Sequence, residues 1–401
     1  MEAFNNPFRP GAGQPPPYLA GREDEQTDFK KLLNQSPVIK NIVLTGLRGV
    51  GKTVLLESFK PIAIENNWFW AGADLSESSG VSEQSLSTRI LADISVLVSS
   101  FTIPLQDQRT IGFASDKYPK ESHLSYNVLI KTYNETPGLE SDKLKFVLEF
   151  VWNVVKSKVK GIVLAYDEAQ ILKDKAADKQ YPLSLLLEVV QYLQRKQISY
   201  LLILTGLPTL FPNLVEARTY AERMFQVITL DRLSDDESRE AILKPIDKID
   251  CPVTFSEFGI IEIIKYSSGY PYFIQFFCKE TFDTVIQQIK AGVEEPNAQV
   301  SDCVRKLDSD FYAGRWSRIT DKQRDLLRVI AKLPSANKEF TAREISMMSE
   351  KLKNVFKSAY VNNLLNKLIE FGLIYKNRRG SYSFAVPLLA DFINRQEDTG
   401  W

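Results

Sequence analysis

The sequence is poor in the residues that most metal and nucleophile sites use. It contains one histidine and three cysteines among 401 residues. A lone histidine excludes an HExxH zinc site, which needs two, and leaves no obvious Ser-His-Asp triad. The cysteines are widely spaced and form no CxxC pair. This spacing argues against structural zinc and a disulfide framework, and it fits a reducing compartment.

Long apolar runs and an excess of one charge are also lacking. No uninterrupted apolar run approaches the roughly 18 residues that a membrane span needs, and the acidic, Pro-rich N-terminus is unlike a signal peptide. The 50 Lys and Arg residues balance 50 Asp and Glu, so the total charge gives no sign of nucleic-acid binding. We expect a cytoplasmic protein without membrane association.

The sequence instead shows apolar strands that alternate with helices over residues 41–232. Strands such as NIVLTG and GIVLAYDE are apolar nearly throughout, which is typical of a parallel sheet covered on both faces. A Pro-rich arm with one helix precedes this core as residues 1–40. Residues 76–140 fit the pattern poorly, and the polar, turn-rich stretch 104–140 is interpreted as an insertion or mobile loop.

The rest of the chain predicts two further domains. Residues 233–309 show only helices, and Ser234 with Glu237 has the pattern of a capping box. Residues 310–401 show three helices followed by a two-stranded hairpin, which is the order of a winged helix. The predicted fold is therefore α/β, with a parallel sheet core, an all-helical lid and a C-terminal winged-helix domain.

The strongest motif is GLRGVGKT (46–53), a full match to GxxxxGK[ST] in the required order of strand, loop and helix. Its glycines let successive backbone N–H groups surround phosphate oxygens. Lys52 is expected to reach the β- and γ-phosphates of ATP, and the Thr53 hydroxyl to bind Mg²⁺. The nucleotide contacts expected from this segment are Gly46, Gly49, Val50, Gly51, Lys52, Thr53 and Val54.

Two acids, Asp167 and Glu168, end the strand IVLAYDE. A phosphate-loop nucleotidase needs one carboxylate at a strand end to hold the metal, and it often places a second beside it to polarise the attacking water. Asp167 fits the first role and Glu168 the second. Thr205 ends the next apolar strand, where it either orients the lytic water or senses the γ-phosphate, or else simply begins a turn.

Two arginines stand just before the last predicted strand of the core. Arg218 and Arg223 lie in or beside a predicted helix over residues 213–224. An arginine in this place can reach the γ-phosphate of its own or of a neighbouring subunit. We favour Arg223, which implies self-association if it acts between subunits; the alternative is an ordinary surface arginine.

Together these segments resemble the AAA+ superfamily, and within it bacterial relatives of the archaeal origin-recognition initiators, bordering the STAND signal-transduction ATPases. The matching segments are PYLAGREDE (17–25), DEAQ (167–170), TGLP (205–208), YAERMF (220–225), SGYPYFIQ (268–275) and the terminal GLIYKNRRG and FAVPLLADFI. The resemblance implies an AAA+ core with ATP and Mg²⁺ as cofactors. It also implies that Gly21 and Arg22, in the GRE segment, lie against the adenine.

One segment departs from the initiators. They usually carry a sensor arginine early in a lid helix, where this chain has Gly269, Tyr270 and Pro271. This sequence is closer to the GxP motif of STAND proteins, and the resemblance then implies that Pro271 packs on the base; the alternative is a plain Gly-Pro helix start. The missing arginine makes a slow nucleotide switch an alternative to fast hydrolysis.

The charge is unevenly distributed along the chain. Residues 310–401 hold 16 Lys and Arg against 10 Asp and Glu, a net charge of +6, so the remainder carries −6. A basic winged helix can meet the phosphates of double-stranded DNA with a helix and a wing. The candidate contacts are Lys353, Lys357, Lys376, Arg378 and Arg379. The alternative is a winged helix that binds protein or inhibits its own chain.

The sequence thus supports two hypotheses of different class. In the first, an AAA+ ATPase hydrolyses ATP to drive a conformational change or assembly that is coupled to DNA through the winged helix. In the second, a STAND-like nucleotide switch binds and regulates a protein effector in defence or signalling, without DNA. A small-molecule kinase would have no use for the lid and the winged helix.

Overall fold

The structure, a computed structural model, describes residues 5–11, 13–76, 78, 80, 82–104, 121–247, 251–353, 355–378 and 380–398. The chain forms two compact units. The sheet unit comprises Glu23–Thr45 and Leu55–Thr229. The helical unit comprises the residues up to Arg22, Gly46–Val54 and the residues from Leu230 onward. The division therefore crosses the domain boundaries predicted from the sequence.

The secondary structure of the described residues is as follows. The helices are α1 (Glu23–Leu33), α2 (Lys52–Glu65), α3 (Glu83–Val98), α4 (Tyr126–Glu135), α5 (Glu140–Val155), α6 (Pro182–Arg195), α7 (Leu210–Ala217), α8 (Ala221–Met224), α9 (Asp235–Asp247), α10 (Glu257–Ser267), α11 (Pro271–Lys290), α12 (Val300–Leu307), α13 (Ala313–Trp316), α14 (Asp321–Ala331), α15 (Ala342–Lys351), α16 (Ser358–Glu370) and α17 (Leu389–Asp398). The strands are β1 (Asn41–Thr45), β2 (Trp68–Asp74), β3 (Thr102–Pro104), β4 (Glu121–His123), β5 (Gly161–Asp167), β6 (Tyr200–Gly206), β7 (Phe225–Thr229), β8 (Phe340–Thr341), β9 (Ile374–Arg378) and β10 (Ser381–Phe384).

A five-stranded parallel sheet in the order β2-β5-β6-β1-β7 forms the centre of the sheet unit. Leu44 pairs with Thr205, and Tyr166 pairs with Leu204, so the carboxyl ends of β1, β5 and β6 lie at one edge. Because β1 lies between two strands that come much later in the chain, the strand order reverses there. Ligands of open α/β sheets bind beyond the carboxyl ends of the strands at such a reversal.

Helices cover the sheet on both faces, as the apolar strands predicted. Side chains of β2 alternate between the faces. Trp70 meets Phe29 of α1 edge-on at 6.4 Å, and Phe29 stacks on Phe59 of α2 at 4.3 Å. Phe69 turns the other way and meets Phe101 at 6.0 Å. All residues of β5 and β6 are buried, since each of these strands has a neighbour on both sides.

The interpretation of residues 104–140 as a loop was wrong for part of this stretch. Helix α4 occupies Tyr126–Glu135 and packs against α3 and α5, with Leu129 and Tyr133 buried. These two side chains are four residues apart, so they share one face of a helix. Residues 105–120 lie outside the described residues. The single helix predicted over 213–224 is likewise two helices, α7 and α8.

The helical unit has its own apolar core. Helix α11 buries a run of aromatic residues against α9, α10 and α12. The N-terminal arm packs on this lid: Phe8 is buried and meets Phe255 edge-on at 5.9 Å. The Asn6 side-chain amide donates hydrogen bonds to the Lys279 carbonyl oxygen at 3.0 Å and to Asp283 at 2.8 Å. These contacts order a Pro-rich segment that has no periodicity of its own.

The C-terminal domain, from Asp308 onward, contains the predicted three helices, as α14, α15 and α16, followed by the predicted hairpin of β9 and β10. The short strand β8 and the terminal helix α17 were not predicted. The three strands of this domain pair antiparallel in the order β8-β10-β9. Among the described residues of the whole chain, no helix has both the length and the apolar character that crossing a membrane requires.

Candidate functional site

The glycine-rich loop follows β1 and continues into α2. Its glycines adopt backbone angles that L side chains rarely take, with φ of 156° at Gly46, 81° at Gly49 and 90° at Gly51. A Cβ atom on Gly46 would lie 2.4 Å from the Leu230 carbonyl oxygen, so only glycine fits there. Backbones that alternate between such conformations form concave arrays of N–H groups that bind anions.

Lys52 begins α2, and its ammonium group lies over the loop. Nζ donates hydrogen bonds to the carbonyl oxygens of Gly46 at 3.0 Å and Leu47 at 2.7 Å. Thr53 and Val54 follow in the first turn of α2 and are half-buried, whereas Val50 is buried. The residues that the motif requires for phosphate binding are therefore adjacent in space as well as in sequence.

Gly21 and Arg22 connect the N-terminal arm to this loop. The Arg22 guanidinium is buried and donates to the carbonyl oxygens of Val50 at 3.4 Å and Asp231 at 2.8 Å. Gly21 has φ of 61°, and a Cβ there would lie 2.3 Å from the Glu237 carboxylate in α9. The two residues thus join the loop to the beginning of the lid, which is a role that the sequence did not predict for them.

The first turn of α11 also packs on the loop. Pro271 is the first residue of this helix, and the next residue, Tyr272, donates its backbone N–H to the Gly49 carbonyl oxygen at 3.3 Å. A Cβ on Gly49 would lie 3.6 Å from Tyr272 Cβ and 4.0 Å from Pro387 Cγ. The structure therefore brings Pro271 close to the phosphate loop, and it places the lid and the C-terminal domain on the same loop residue.

The acid-bearing edge of the sheet belongs to the other unit. Asp167 is 4% exposed, and its Oδ1 accepts a hydrogen bond of 2.7 Å from the Glu168 backbone N–H. Glu168 is exposed and has φ of 53°. The hydroxyls of Thr205 and Thr45 are buried at the ends of β6 and β1, and neither has a hydrogen-bond partner in the described part of the chain. Because buried polar groups are rarely left unpaired, these hydroxyls favour a ligand or water at this edge.

One side chain at this edge, Gln170, had no role predicted from the sequence. It follows β5 in a 3-10 turn; its side-chain amide nitrogen donates to the Glu168 carboxylate, and its Oε1 accepts from the Leu207 backbone N–H at 3.1 Å. A Cβ on Gly206 would lie 2.5 Å from Gln170 Oε1. Gln170 therefore joins the end of β5 to the end of β6. The signal in the sequence was an amide two residues after the acid pair.

The two candidate arginines differ in their surroundings. Arg218 follows α7 and lies 3.9 Å from a Glu188 carboxylate oxygen. Arg223, in the short helix α8 just before β7, is exposed, and no carboxylate of the described residues pairs with it. These surroundings fit an ordinary surface arginine equally, so the role of Arg223 stays a prediction.

Three of the basic candidates of the C-terminal domain lie on its surface. Lys353 and Lys357 are exposed in the connection between α15 and α16, and Lys376 is exposed in β9. Arg378 is the last residue of β9, and Arg379 lies outside the described residues. The first two lysines thus precede α16.

Comparisons with known proteins agree with this architecture. A family profile described as "Domain of unknown function (DUF8462)" matches residues 309–393, which is the C-terminal domain. No curated protein matches the chain significantly.

Two archaeal proteins have similar solved structures. The Walker-type ATPase of Pyrococcus abyssi is 18% identical, with a TM-score of 0.57 over 94% of this chain and 96% of that one. The ORC2 protein of Aeropyrum pernix in its ADP form is 12% identical, with a TM-score of 0.56 over 98% of both chains. A second structure of ORC2, with ADPNP and ADP, gives 13% identity and a TM-score of 0.51 over 98% of both chains.

The loop and the sheet define a phosphate-loop protein. Over nearly the whole chain, its fold is similar to the folds of this Walker-type ATPase and of ORC2. The predicted resemblance to origin-recognition ATPases is thereby confirmed at the level of the fold.

Proposed function

We propose that this protein is a Mg²⁺-dependent ATPase whose bound nucleotide controls the packing of its lid and C-terminal domain. The observation that carries the proposal is a complete phosphate loop on which Tyr272 and Pro387 both pack, at Gly49. A ligand shifts a conformational equilibrium when it has different affinities for the two states. ATP and ADP differ at the phosphate end, so they are expected to favour different arrangements of the segments that cover the loop.

The sequence motifs supply the residues that we assign to this nucleotide and metal. The N–H groups of the loop and Lys52 would bind the phosphates, while the Thr53 hydroxyl and the Asp167 carboxylate would hold Mg²⁺. The metal supplies charge compensation for the phosphates. Glu168 would accept a proton from the attacking water, and the unpaired hydroxyl of Thr205 would orient that water. Arg223 would contact the γ-phosphate.

The test is nucleotide binding and turnover by purified Lys52→Ala. Loss of a charged hydrogen-bond donor should weaken binding of a fluorescent ATP analogue about 10-fold or more and abolish turnover. Lys60→Ala is the matched control, because Lys60 is exposed further along the same helix. Wild-type affinity and turnover in Lys52→Ala would refute the proposed site.

We propose duplex DNA as the partner of the C-terminal domain. The support is the net charge of +6 over residues 310–401 and the exposure of Lys353, Lys357 and Lys376. Electrostatic binding to DNA weakens steeply between about 50 and 200 mM salt. The measurement is fluorescence anisotropy of a labelled duplex at both salt concentrations, with the Lys353→Glu, Lys357→Glu double variant expected to lose affinity.

The control for this test is Lys156→Glu with Lys158→Glu, a pair of exposed lysines of the sheet unit. Equal affinity of the two double variants would show that charge alone, and not this surface, determines binding.

A regulated protein effector is the second candidate partner. It is favoured by apolar side chains beside the same lysines: Leu352 is 46% exposed and Val355 67% exposed. Exposed apolar groups ringed by charge are typical of protein interaction sites. No duplex binding at about 50 mM salt, combined with nucleotide-dependent self-association in sedimentation, would support the switch over the DNA-coupled ATPase.

A further inference from the structure

Two arginines of the helical unit are associated with the phosphate loop, one within the loop and the other through aromatic residues. Arg48 is the third residue of the loop and is exposed; its guanidinium nitrogens lie 3.5 Å from the position that a Cβ on Gly372 would occupy. Arg315 lies in α13, between the lid and the C-terminal domain. In the part of the chain that the structure describes, neither side chain forms an ion pair with a carboxylate.

Aromatic residues connect Arg315 to the loop. Its guanidinium donates a hydrogen bond to the Phe311 carbonyl oxygen and lies 4.4 Å from the centroid of the Phe311 ring. That ring is 5.3 Å from the ring of Tyr272, which donates its backbone N–H to Gly49. Arg315 is half-buried, and these contacts attach it to the segment that packs on the loop.

The surroundings of Arg315 disfavour its positive charge. Burial lowers the pKa of the Arg315 guanidinium, and the charges of Arg48 and Arg318 lower it further. An arginine nevertheless stays protonated at neutral pH. Two like charges in a partly desolvated place repel each other, and an anion between them would turn that repulsion into two attractions.

The loop indicates which anion belongs there. In this motif the lysine reaches the β- and γ-phosphates of the nucleotide. The ammonium of Lys52 lies 2.7 Å from the carbonyl oxygen of Leu47, the residue directly before Arg48. Arg48 is therefore next in sequence to a residue that the Lys52 ammonium contacts. This position lies at the γ-phosphate end of the loop and not at the end that leads into α2.

We infer that Arg48 and Arg315 together bind the terminal phosphate of ATP, so that a residue outside the lid distinguishes a triphosphate from a diphosphate. The inference rests on the proposed function and deepens it by naming the groups that read the nucleotide. Arg315 is joined through Phe311 to Tyr312, whose hydroxyl donates to the Pro387 carbonyl oxygen at 2.8 Å. A terminal phosphate on Arg315 thereby acts on the same two segments, at Tyr272 and Pro387, that pack on Gly49.

A DNA phosphate is the other anion that two arginines could bind. The nucleotide is favoured because Arg48 is part of the phosphate loop itself, next to Leu47. If the pair binds a DNA phosphate, the affinity for duplex DNA will depend on Arg48 and Arg315. If the pair binds the terminal phosphate of ATP, the affinity for duplex DNA will not depend on them.

The experiment compares the affinities of a non-hydrolysable ATP analogue and of ADP, both with Mg²⁺, by calorimetry. We expect Arg315→Gln and Arg48→Gln each to lose about 10- to 100-fold in affinity for the analogue, since each removes a charged hydrogen bond. The affinity for ADP should stay within about 3-fold. Arg343→Gln, which removes the same charge from an exposed position in α15, should change neither affinity.

Each other outcome has a separate meaning. An unchanged ratio of the two affinities in both variants would overturn the inference while the proposed function stands. Loss of duplex affinity instead would assign the pair to DNA. If the wild-type chain binds neither nucleotide, the proposed function and the inference both fail. Should Arg315→Gln unfold, as judged by circular dichroism, Arg48→Gln decides, because its side chain is exposed and supports no core.

Discussion

Glu168 occupies a backbone conformation that a residue with a side chain seldom takes. Its φ of 53° is left-handed, which costs about 1–2 kcal/mol outside glycine. This turn separates its side chain from that of Asp167, whose Oδ1 accepts the Glu168 N–H, while Gln170 donates to the Glu168 carboxylate. Strain of this kind persists where the surrounding contacts demand it, and it is common at functional sites.

Glu168→Gln should therefore retain ATP binding and lose turnover. General bases contribute about 10²- to 10⁴-fold to rate, and an amide of the same shape can still bond to Gln170 but cannot accept a proton. Steady-state phosphate release and equilibrium nucleotide affinity are the two measurements. Glu57→Gln is the control, because Glu57 is an exposed acid on α2. A turnover number within a few-fold of wild type would remove Glu168 from the base role.

At the scale of elements, the π-helical turn Asp308–Tyr312 anchors the C-terminal helix. The Asp308 carboxylate accepts two hydrogen bonds from the Arg395 guanidinium of α17, at 2.6 and 2.9 Å. The side chain of Asp308 is only 14% exposed. A two-point contact in a sheltered place contributes more to stability than an ion pair in water.

We expect Asp308→Asn to destabilise the helical unit by about 1–3 kcal/mol, because the variant loses the charge and one acceptor for Arg395. Differential scanning calorimetry should show a fall of several degrees in the melting temperature. The matched control is Asp302→Asn, since Asp302 pairs with Arg305 where the two side chains are 62% and 81% exposed. That change should cost less than about 0.5 kcal/mol. Equal shifts for the two variants would contradict the proposed anchoring.

The elements differ in how well the sequence predicted them. Strands β5 and β6 were predictable because they are apolar throughout and buried on both faces. Helix α4 was not, since Val128, Leu129 and Ile130 are apolar in succession and obscure the helical spacing of its buried residues, Leu129 and Tyr133. The phosphate loop was predictable because the residues of its motif are consecutive in the sequence. The contacts of Gln170 and the role proposed for Arg315 were not, because both depend on residues that are distant in the chain.

At the scale of the whole molecule, Arg223 raises the question of self-association. Arg223→Ala should abolish turnover while ATP still binds, since arginines that contact the γ-phosphate are worth about 10³- to 10⁵-fold in rate. Glu168→Gln is expected to be inactive for a different reason, because it keeps the arginine and lacks the base.

Mixing the two inactive variants shows whether the arginine comes from the same subunit or from a neighbouring one. If Arg223 acts on a neighbouring subunit, the mixture will recover part of the activity. Some sites will then combine Glu168 from the Arg223→Ala chain with Arg223 from the Glu168→Gln chain. An arginine that acts in its own subunit leaves the mixture inactive. Arg218→Ala serves as the control, because Arg218 is already near Glu188 and should leave turnover nearly unchanged.

The contact between Gly49 and Pro387 also constrains how the protein is made. The two residues are 338 positions apart in the chain, and ribosomes add about 5–20 residues per second. The phosphate loop is thus synthesised roughly 20–70 seconds before the last segment that packs on it. Nascent chains that stop short of Pro387 carry the whole GxxxxGK[ST] motif without the cover that this residue supplies. The proposed ATP-dependent control of the lid and C-terminal domain therefore requires a nearly complete chain.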